Sequence, residues 1–332
     1  MSAPNGINLI FGAGGYGTYL NDLLGVDTAR ALVRDQLEVL SAEGVRSIDT
    51  SELYEGSEEE LAHHDAAKKF VIHTKVKGGF AAGRTTEEIV EVGKERLRLL
   101  KTNQVEVLYL HAPDSKTPLD QQVKGYNELY KQGAFKHLGL SNFSPEEVQK
   151  FYDAAVANDC VVPTVYEGAY NAIGRLPELE LVPLLRKLGI TYNAYSPIAG
   201  GLLAKPKEDF LAGVSRFDTS TFLGKLYSSL YNKPSFLKAL DAWGYIAEEA
   251  KISRAELAFR WVVYHSALKG EHGDGIIFGA RDAAQEKETL KFINAGPLPE
   301  SVAKKASDVW EIVQADATFD NWSGYLKALF QG

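Results

Sequence analysis

The chain has 332 residues, 45% hydrophobic and 24% charged, with a formal net charge of -8. This is the make-up of a folded globular protein with an ample core, and the acidic balance without any basic block argues against nucleic acid as a partner. No apolar run approaches the roughly 20 residues that span a bilayer, Met1-Ser2-Ala3-Pro4-Asn5-Gly6 lacks the regions of a signal peptide, and the single Cys160 can close no internal disulfide, so the expectation is a cytoplasmic protein with no membrane partner.

Short β-branched runs predict strands at residues 7–11, 45–49, 70–75, 105–111, 137–141, 162–167, 190–196 and 275–279. Amphipathic stretches between them predict helices at 28–43, 57–69, 86–100, 119–132, 145–158, 177–188 and 253–268. Ser57 before three glutamates, Thr85-Thr86-Glu87-Glu88 and Ser144-Pro145-Glu146-Glu147 mark helix starts, and Gly44, Gly133 and Gly189 mark stops. Eight strands that are apolar throughout, rather than alternating, point to a parallel sheet covered by helices. Eight such units also close a (β/α)₈ TIM barrel in about 250 residues. Residues 198–243, rich in aromatics, read as an insertion after the seventh strand, and residues 301–315 as an extra C-terminal helix. No linker composition interrupts the chain, so one domain over 1–332 is expected.

Gly12-Ala13-Gly14-Gly15-Tyr16-Gly17 has the spelling of a dinucleotide-binding glycine loop. In that fold an acid follows about 20 residues on, at the end of the second strand. Here the second strand ends at Asp49, 32 positions after Gly17. The glycines therefore read as a flexible loop at a barrel mouth.

A barrel enzyme carries its site at the C-terminal ends of its strands. Those ends hold Asp49 with Tyr54 beyond it, Lys75, His111, Ser141-Asn142, Tyr166-Glu167 and Tyr195-Ser196. Singly, each is an ordinary cap or a hydrogen-bonded core residue. Jointly, Asp, Tyr, Lys and His suit carbonyl reduction, in which a hydride arriving at carbon builds charge on oxygen that a donor must meet. A lysine beside a tyrosine favours the phenolate and eases proton donation, and an aspartate holds the lysine charged. The seven histidines show no ligand spacing, so no metal is expected.

Gly44-Val45-Arg46-Ser47-Ile48-Asp49-Thr50 with Tyr54, then Thr74-Lys75, Leu110-His111 and Gly139-Leu140-Ser141-Asn142-Phe143, together resemble the signature of the aldo-keto reductases. Tyr109 to Asp114, Pro163 to Tyr166, Tyr170-Asn171-Ala172 and Ala199 to Leu203 resemble its aflatoxin-aldehyde and succinic-semialdehyde reductase branch. The resemblance implies a (β/α)₈ barrel, NADPH/NADP⁺ as cofactor, and a small aldehyde or ketone as substrate. It implies Tyr54 as proton donor, Lys75 and Asp49 as the pair that tunes it, and His111 as the residue that orients the carbonyl. It places Ser141, Asn142 and Tyr195 at the nicotinamide, and the stretch from Ser196 through Ile198, Gly200, Gly201 and Leu202 at the pyrophosphate. Gly279, Arg281 and Gln285 would meet the adenosine phosphate at a helix start. Phe80, Tyr227, Tyr231 and Trp322 are the expected substrate-side residues, beside Tyr54 and His111. Dimers are common in the branch, so the resemblance admits a homodimer, although no interface signature marks one.

The chain also departs from the pattern. Glu167 stands where the family usually has Gln; ionised there, it would favour the oxidised cofactor and lean toward alcohol oxidation. Tyr227-Ser228-Ser229-Leu230-Tyr231 lacks the arginines that meet acidic substrates in the branch, and Asn321-Trp322-Ser323-Gly324-Tyr325 supplies aromatics. Neutral or aromatic carbonyls are therefore expected over carboxylated ones. Thr289 replaces an Asn expected at the adenine. The same barrel also serves as a cofactor-binding regulatory subunit, but the intact Asp49, Tyr54, Lys75 and His111 favour turnover.

Overall fold

In the computed structural model of the protein, which describes residues 2–81 and 83–322, eight parallel strands close into a barrel. They are β1 Asn8–Gly12, β2 Ser47–Asp49, β3 Val71–Val76, β4 Val105–Leu110, β5 Phe135–Ser141, β6 Pro163–Ala169, β7 Thr191–Tyr195 and β8 Gly275–Phe278. Each pairs with its neighbours in chain order, and β8 returns to β1 from Asn8↔Gly275 to Phe11↔Phe278. The continuous apolar runs predict these strands because a barrel strand is covered on both faces; β8 is buried along its whole length.

Local signals set the helix ends. Thr85 and Ser144 each accept the backbone N–H of the glutamate three residues on, and that glutamate accepts theirs in return, with Pro145 in the first turn of the second helix. Gly189 ends Leu181–Leu188 at φ 69, a left-handed conformation that a side chain would strain.

Four stretches differ from the sequence expectation. A short helix, Thr18–Leu24, forms in the turn-rich segment after β1. The helix expected over 57–69 ends at His63 and resumes as a single 3₁₀ turn, Ala66–Lys68, because Asp65 adopts φ 53. The insertion is largely helical, with Lys207–Leu211, Phe222–Tyr231 and Pro234–Ala250 burying Phe210, Leu230, Phe236, Leu240 and Trp243. After β8, Ala283–Asn294 forms with Asp282 accepting the Gln285 N–H at 2.8 Å, while the C-terminal helix is Glu300–Asp308 followed by a turn, Trp310–Val313.

Two contacts hold the barrel in shape. Inside it, Gly139 on β5 leaves room for Tyr109 on β4; a Cβ there would lie 2.2 Å from the ring. At the seam, buried Asp274 accepts from Tyr192 N–H at 2.9 Å, Lys269 N–H at 2.7 Å and Arg186 Nη1 at 2.9 Å, while its carbonyl accepts the Asn8 N–H at 2.9 Å. No described helix is long and apolar enough to cross a membrane.

Candidate active site

The C-terminal ends of β2, β3 and β6 bring three ionisable side chains together. Lys75 is fully buried, its Nζ paired with Asp49 Oδ1, 3.1 Å from the Thr50 carbonyl and 3.2 Å from Glu167 Oε1. The rings of Tyr54 and Tyr109 lie 5.5 and 5.6 Å from the same ammonium. Asp49 Oδ2 and Glu167 Oε2 have no hydrogen-bond partner among the described residues. One positive charge thus serves two buried carboxyls, and both cannot stay ionised at low cost. Burial alone would discharge Lys75, but Asp49 and Glu167 outweigh it and raise its pKa. Burial and the neighbouring Asp49 push Glu167 well up. Burial raises Asp49 as well, but its contact with Lys75 opposes this, and the upward push is the larger on Glu167.

Tyr54 reaches this cluster through a tight turn after β2. Its N–H bonds the Ser51 carbonyl at 3.0 Å, and Ser57 N–H bonds its own carbonyl at 2.9 Å, which folds the loop back over the barrel mouth. Burial raises the Tyr54 pKa above that of a free phenol, and Lys75 opposes this with a smaller downward pull. The pull of Lys75 on the phenol has the expected direction, but burial outweighs it, so the net shift is upward. His111 follows β4, its N–H bonded to the Val76 carbonyl at 2.9 Å and its Nδ1 2.9 Å from Ser51 Oγ. Its ring meets those of Tyr54 and Phe80 edge-on, with centroids 5.8 and 5.1 Å apart. Burial, and then the charge of Lys75, hold its pKa well below that of free histidine, so the imidazole is neutral.

Asp49, Tyr54, His111 and Glu167 line a cavity of about 350 Å³, with Lys75 buried against the two carboxyls. The lining is polar at Asp49, Tyr54, His111, Asn142 and Glu167 and largely apolar at Leu53, Phe80, Leu226, Tyr227 and Trp322. A groove of about 280 Å³ leads away from it, sharing Ser196, Arg216, Ile277 and Gly279 with the cavity. The groove is bordered by Ile198, Gly200, Gly201, Lys205, Arg281 and Gln285. Gly200 and Gly201 take φ 68 and 103, and a Cβ on Gly200 would strike the Tyr227 ring at 2.3 Å. A bent, glycine-lined groove with three cations along it suits an extended, phosphate-bearing ligand.

The profile of the Aldo/keto reductase family matches residues 8–311. The chain belongs to the aldo/keto reductase family. The oxidoreductase sirO of Leptosphaeria maculans is 38% identical over 86% of this chain and 87% of its own length. The human aflatoxin B1 aldehyde reductase member 4 is 30% identical over 86% of this chain and 89% of its own. Human aldo-keto reductase family 7 member A3 is 36% identical over 65% of this chain and 68% of its own. This aldo-keto reductase is accordingly an NAD(P)-dependent oxidoreductase of carbonyl and alcohol groups.

Most site residues singled out from the sequence line this cavity or its groove, but Lys75, Tyr231, Ser141 and Leu202 do not; Lys75 is buried against Asp49 and Glu167. Tyr231 is buried one helical turn beyond Tyr227, stacked on that ring at 6.2 Å and packed on Phe236. On the helix Phe222–Tyr231 the i, i+4 spacing puts both tyrosines on one face, and only the one nearer the mouth reaches the cavity. Ser141 and Leu202 are fully buried away from the walls; Ser141 Oγ accepts from Asn142 Nδ2 at 3.2 Å. Asn142, at φ 61, is held by Tyr195 Oη at 2.7 Å and bonds the His111 carbonyl at 2.8 Å. Tyr325 lies outside the described residues. Sequence reading missed Lys205, Arg216 and Ser51. The first two sit in the insertion, where no periodicity pointed inward, and Ser51 stood unremarked inside the motif itself.

Proposed function

We propose that this aldo-keto reductase reduces neutral, apolar or aromatic aldehydes and ketones with NADPH, with Tyr54 as the proton donor. The observation that carries the reading is the convergence of the Tyr54 phenol and a neutral His111 in one cavity, beside an Asp49 that holds the buried Lys75. The relatives named aflatoxin B1 aldehyde reductase support an aldehyde as the substrate class.

The groove fits NADPH: Ser196, Ile198 and Gly200 offer backbone N–H groups at the phosphates, Lys205 and Arg216 offer charge, and Arg281 just before the helix Ala283–Asn294 and Gln285 in its first turn stand at the adenosine phosphate. Asn142, Glu167 and Tyr195 line the cavity end of the trough, where the nicotinamide would be held. The bound cofactor supplies the hydride. Tyr54 is protonated at neutral pH and donates to the oxygen as charge builds on it; the resulting phenolate is stabilised by the Lys75 ammonium. Asp49 keeps that ammonium charged and in place. His111 donates a hydrogen bond to the same oxygen, fixing the carbonyl plane against the phenol. Phe80, Tyr227 and Trp322 exclude water and accept an apolar substituent.

Oxidation of NADPH followed by absorbance with 4-nitrobenzaldehyde and succinic semialdehyde tests this directly. The expected result is a kcat/KM at least tenfold higher for the aromatic aldehyde, about 1.4 kcal/mol of preference. A preference for the carboxylated aldehyde would contradict the proposed substrate class, and no turnover of any carbonyl would contradict the function.

A further inference from the structure

His111 can orient a carbonyl only if the nitrogen facing the cavity carries the proton. A neutral imidazole has one N–H, and which nitrogen holds it is set by what the other one meets. Nδ1 meets Ser51 Oγ at 2.9 Å. Ser51 is buried, and its Oγ already accepts the Leu53 N–H at 3.0 Å. If Nδ1 carried the proton, Oγ would accept twice, and the serine's own hydroxyl proton would have no acceptor among the described residues. If Oγ–H donates to Nδ1, every proton in the chain of contacts is used: Leu53 N–H to Oγ, Oγ–H to Nδ1, and Nε2–H to the cavity. Buried hydroxyl protons are rarely left unpaired, so the second arrangement is favoured.

We propose that Ser51 is a positioning residue that fixes His111 as the Nε2–H tautomer and so aims its proton at the substrate oxygen. The turn that presents Tyr54 also presents Ser51, since the Ser51 carbonyl accepts the Tyr54 N–H at 3.0 Å. One short segment, from Asp49 to Tyr54, thereby ends in the donor and sets the direction of the second hydrogen bond. The lower end of His111 is fixed separately, by its N–H to Val76 and its carbonyl to Asn142. Ser51 therefore acts on the tautomer rather than on the place of the backbone.

The proposal rests on the reading of His111 as the carbonyl-orienting residue, and its test has a readout that does not. Nitrogen-15 spectra of protein carrying labelled histidine, with His111→Ala assigning the signals, report the tautomer in the wild type without any turnover. The expected pattern is a bare Nδ1 and a protonated Nε2, changing to a mixture of tautomers in Ser51→Ala. In parallel, kcat for an aldehyde is expected to fall about tenfold in Ser51→Ala, the loss of one directed hydrogen bond, with KM for NADPH unchanged. A protonated Nδ1 in the wild type, or a tautomer that Ser51→Ala leaves as it was, would overturn the proposal. If the wild type shows the expected tautomer but reduces no carbonyl, the functional reading fails and the assignment of Ser51 to the tautomer stands.

Discussion

Lys75 sits between two buried carboxyls, and its single charge satisfies one of them, so the residue scale is where the chemistry of this protein is decided. Burial and then Asp49 push the pKa of Glu167 well up. This upward push works against the ionised form on which a preference for the oxidised cofactor depends, and a protonated carboxyl resembles the amide usual in the family. Glu167→Gln should leave the ratio of NADP⁺ to NADPH dissociation constants within about twofold of the wild type, since one pKa unit of differential charge would move it tenfold. Fluorescence titration with both cofactors reads this, and a tenfold swing toward NADPH in the variant would show that Glu167 is charged. Asp49, Tyr54, Lys75 and His111 were legible in the sequence because each ends a strand or follows one closely. The shared ammonium was not, because β3 and β6 are 92 positions apart at Lys75 and Glu167 and meet only across the closed barrel. Neither was the direction of the Tyr54 shift, which depends on how far burial exceeds the pull of a lysine that has two other partners.

At the scale of elements, strand positions and capped helices were legible, and segments held only by tertiary packing were not. Ala283–Asn294 carries buried Glu286, both of whose oxygens lack a partner among the described residues. Burial, and then Glu43, push its pKa up from 4.5 to about 8. A carboxyl whose folded pKa is raised binds more protons in the folded state. Its contribution is therefore most favourable below the ordinary 4.5 and is lost as the pH rises through about 8. Glu286→Leu should raise stability at every pH and by about 1–2 kcal/mol more at high pH than at low pH, less than the full shift because a buried carboxyl draws water to itself. Urea denaturation of the cofactor-free protein on both sides of that range measures it; an equal gain at both ends would contradict the raised pKa. The insertion teaches the same lesson from the apolar side. Its aromatics were visible, yet only their height along Phe222–Tyr231, one turn apart on the same face, puts Tyr227 at the cavity and Tyr231 in the core.

At the scale of the whole molecule, eight apolar runs at regular spacing were enough to indicate a closed parallel barrel, and the closure itself depends on a residue that carries no motif. Asp274 joins β7, β8 and β1 through one carboxylate and one carbonyl. Asp274→Ala removes a buried partner of Arg186 and leaves two backbone N–H groups without an acceptor, so it should cost about 3–5 kcal/mol. A shift in the urea midpoint reads that loss, and a variant as stable as the wild type would show that the seam is held by strand pairing alone. The barrel then brings Tyr54 and His111 from separate strand ends into one cavity, with Lys75 buried against its Asp49. NADPH-linked reduction of 4-nitrobenzaldehyde by the wild type and by Tyr54→Phe tests that convergence most directly. The account predicts a fall in kcat of at least about a hundredfold, with NADPH affinity kept, as expected when the proton donor is removed and the groove is left intact; turnover by Tyr54→Phe close to that of the wild type would contradict it.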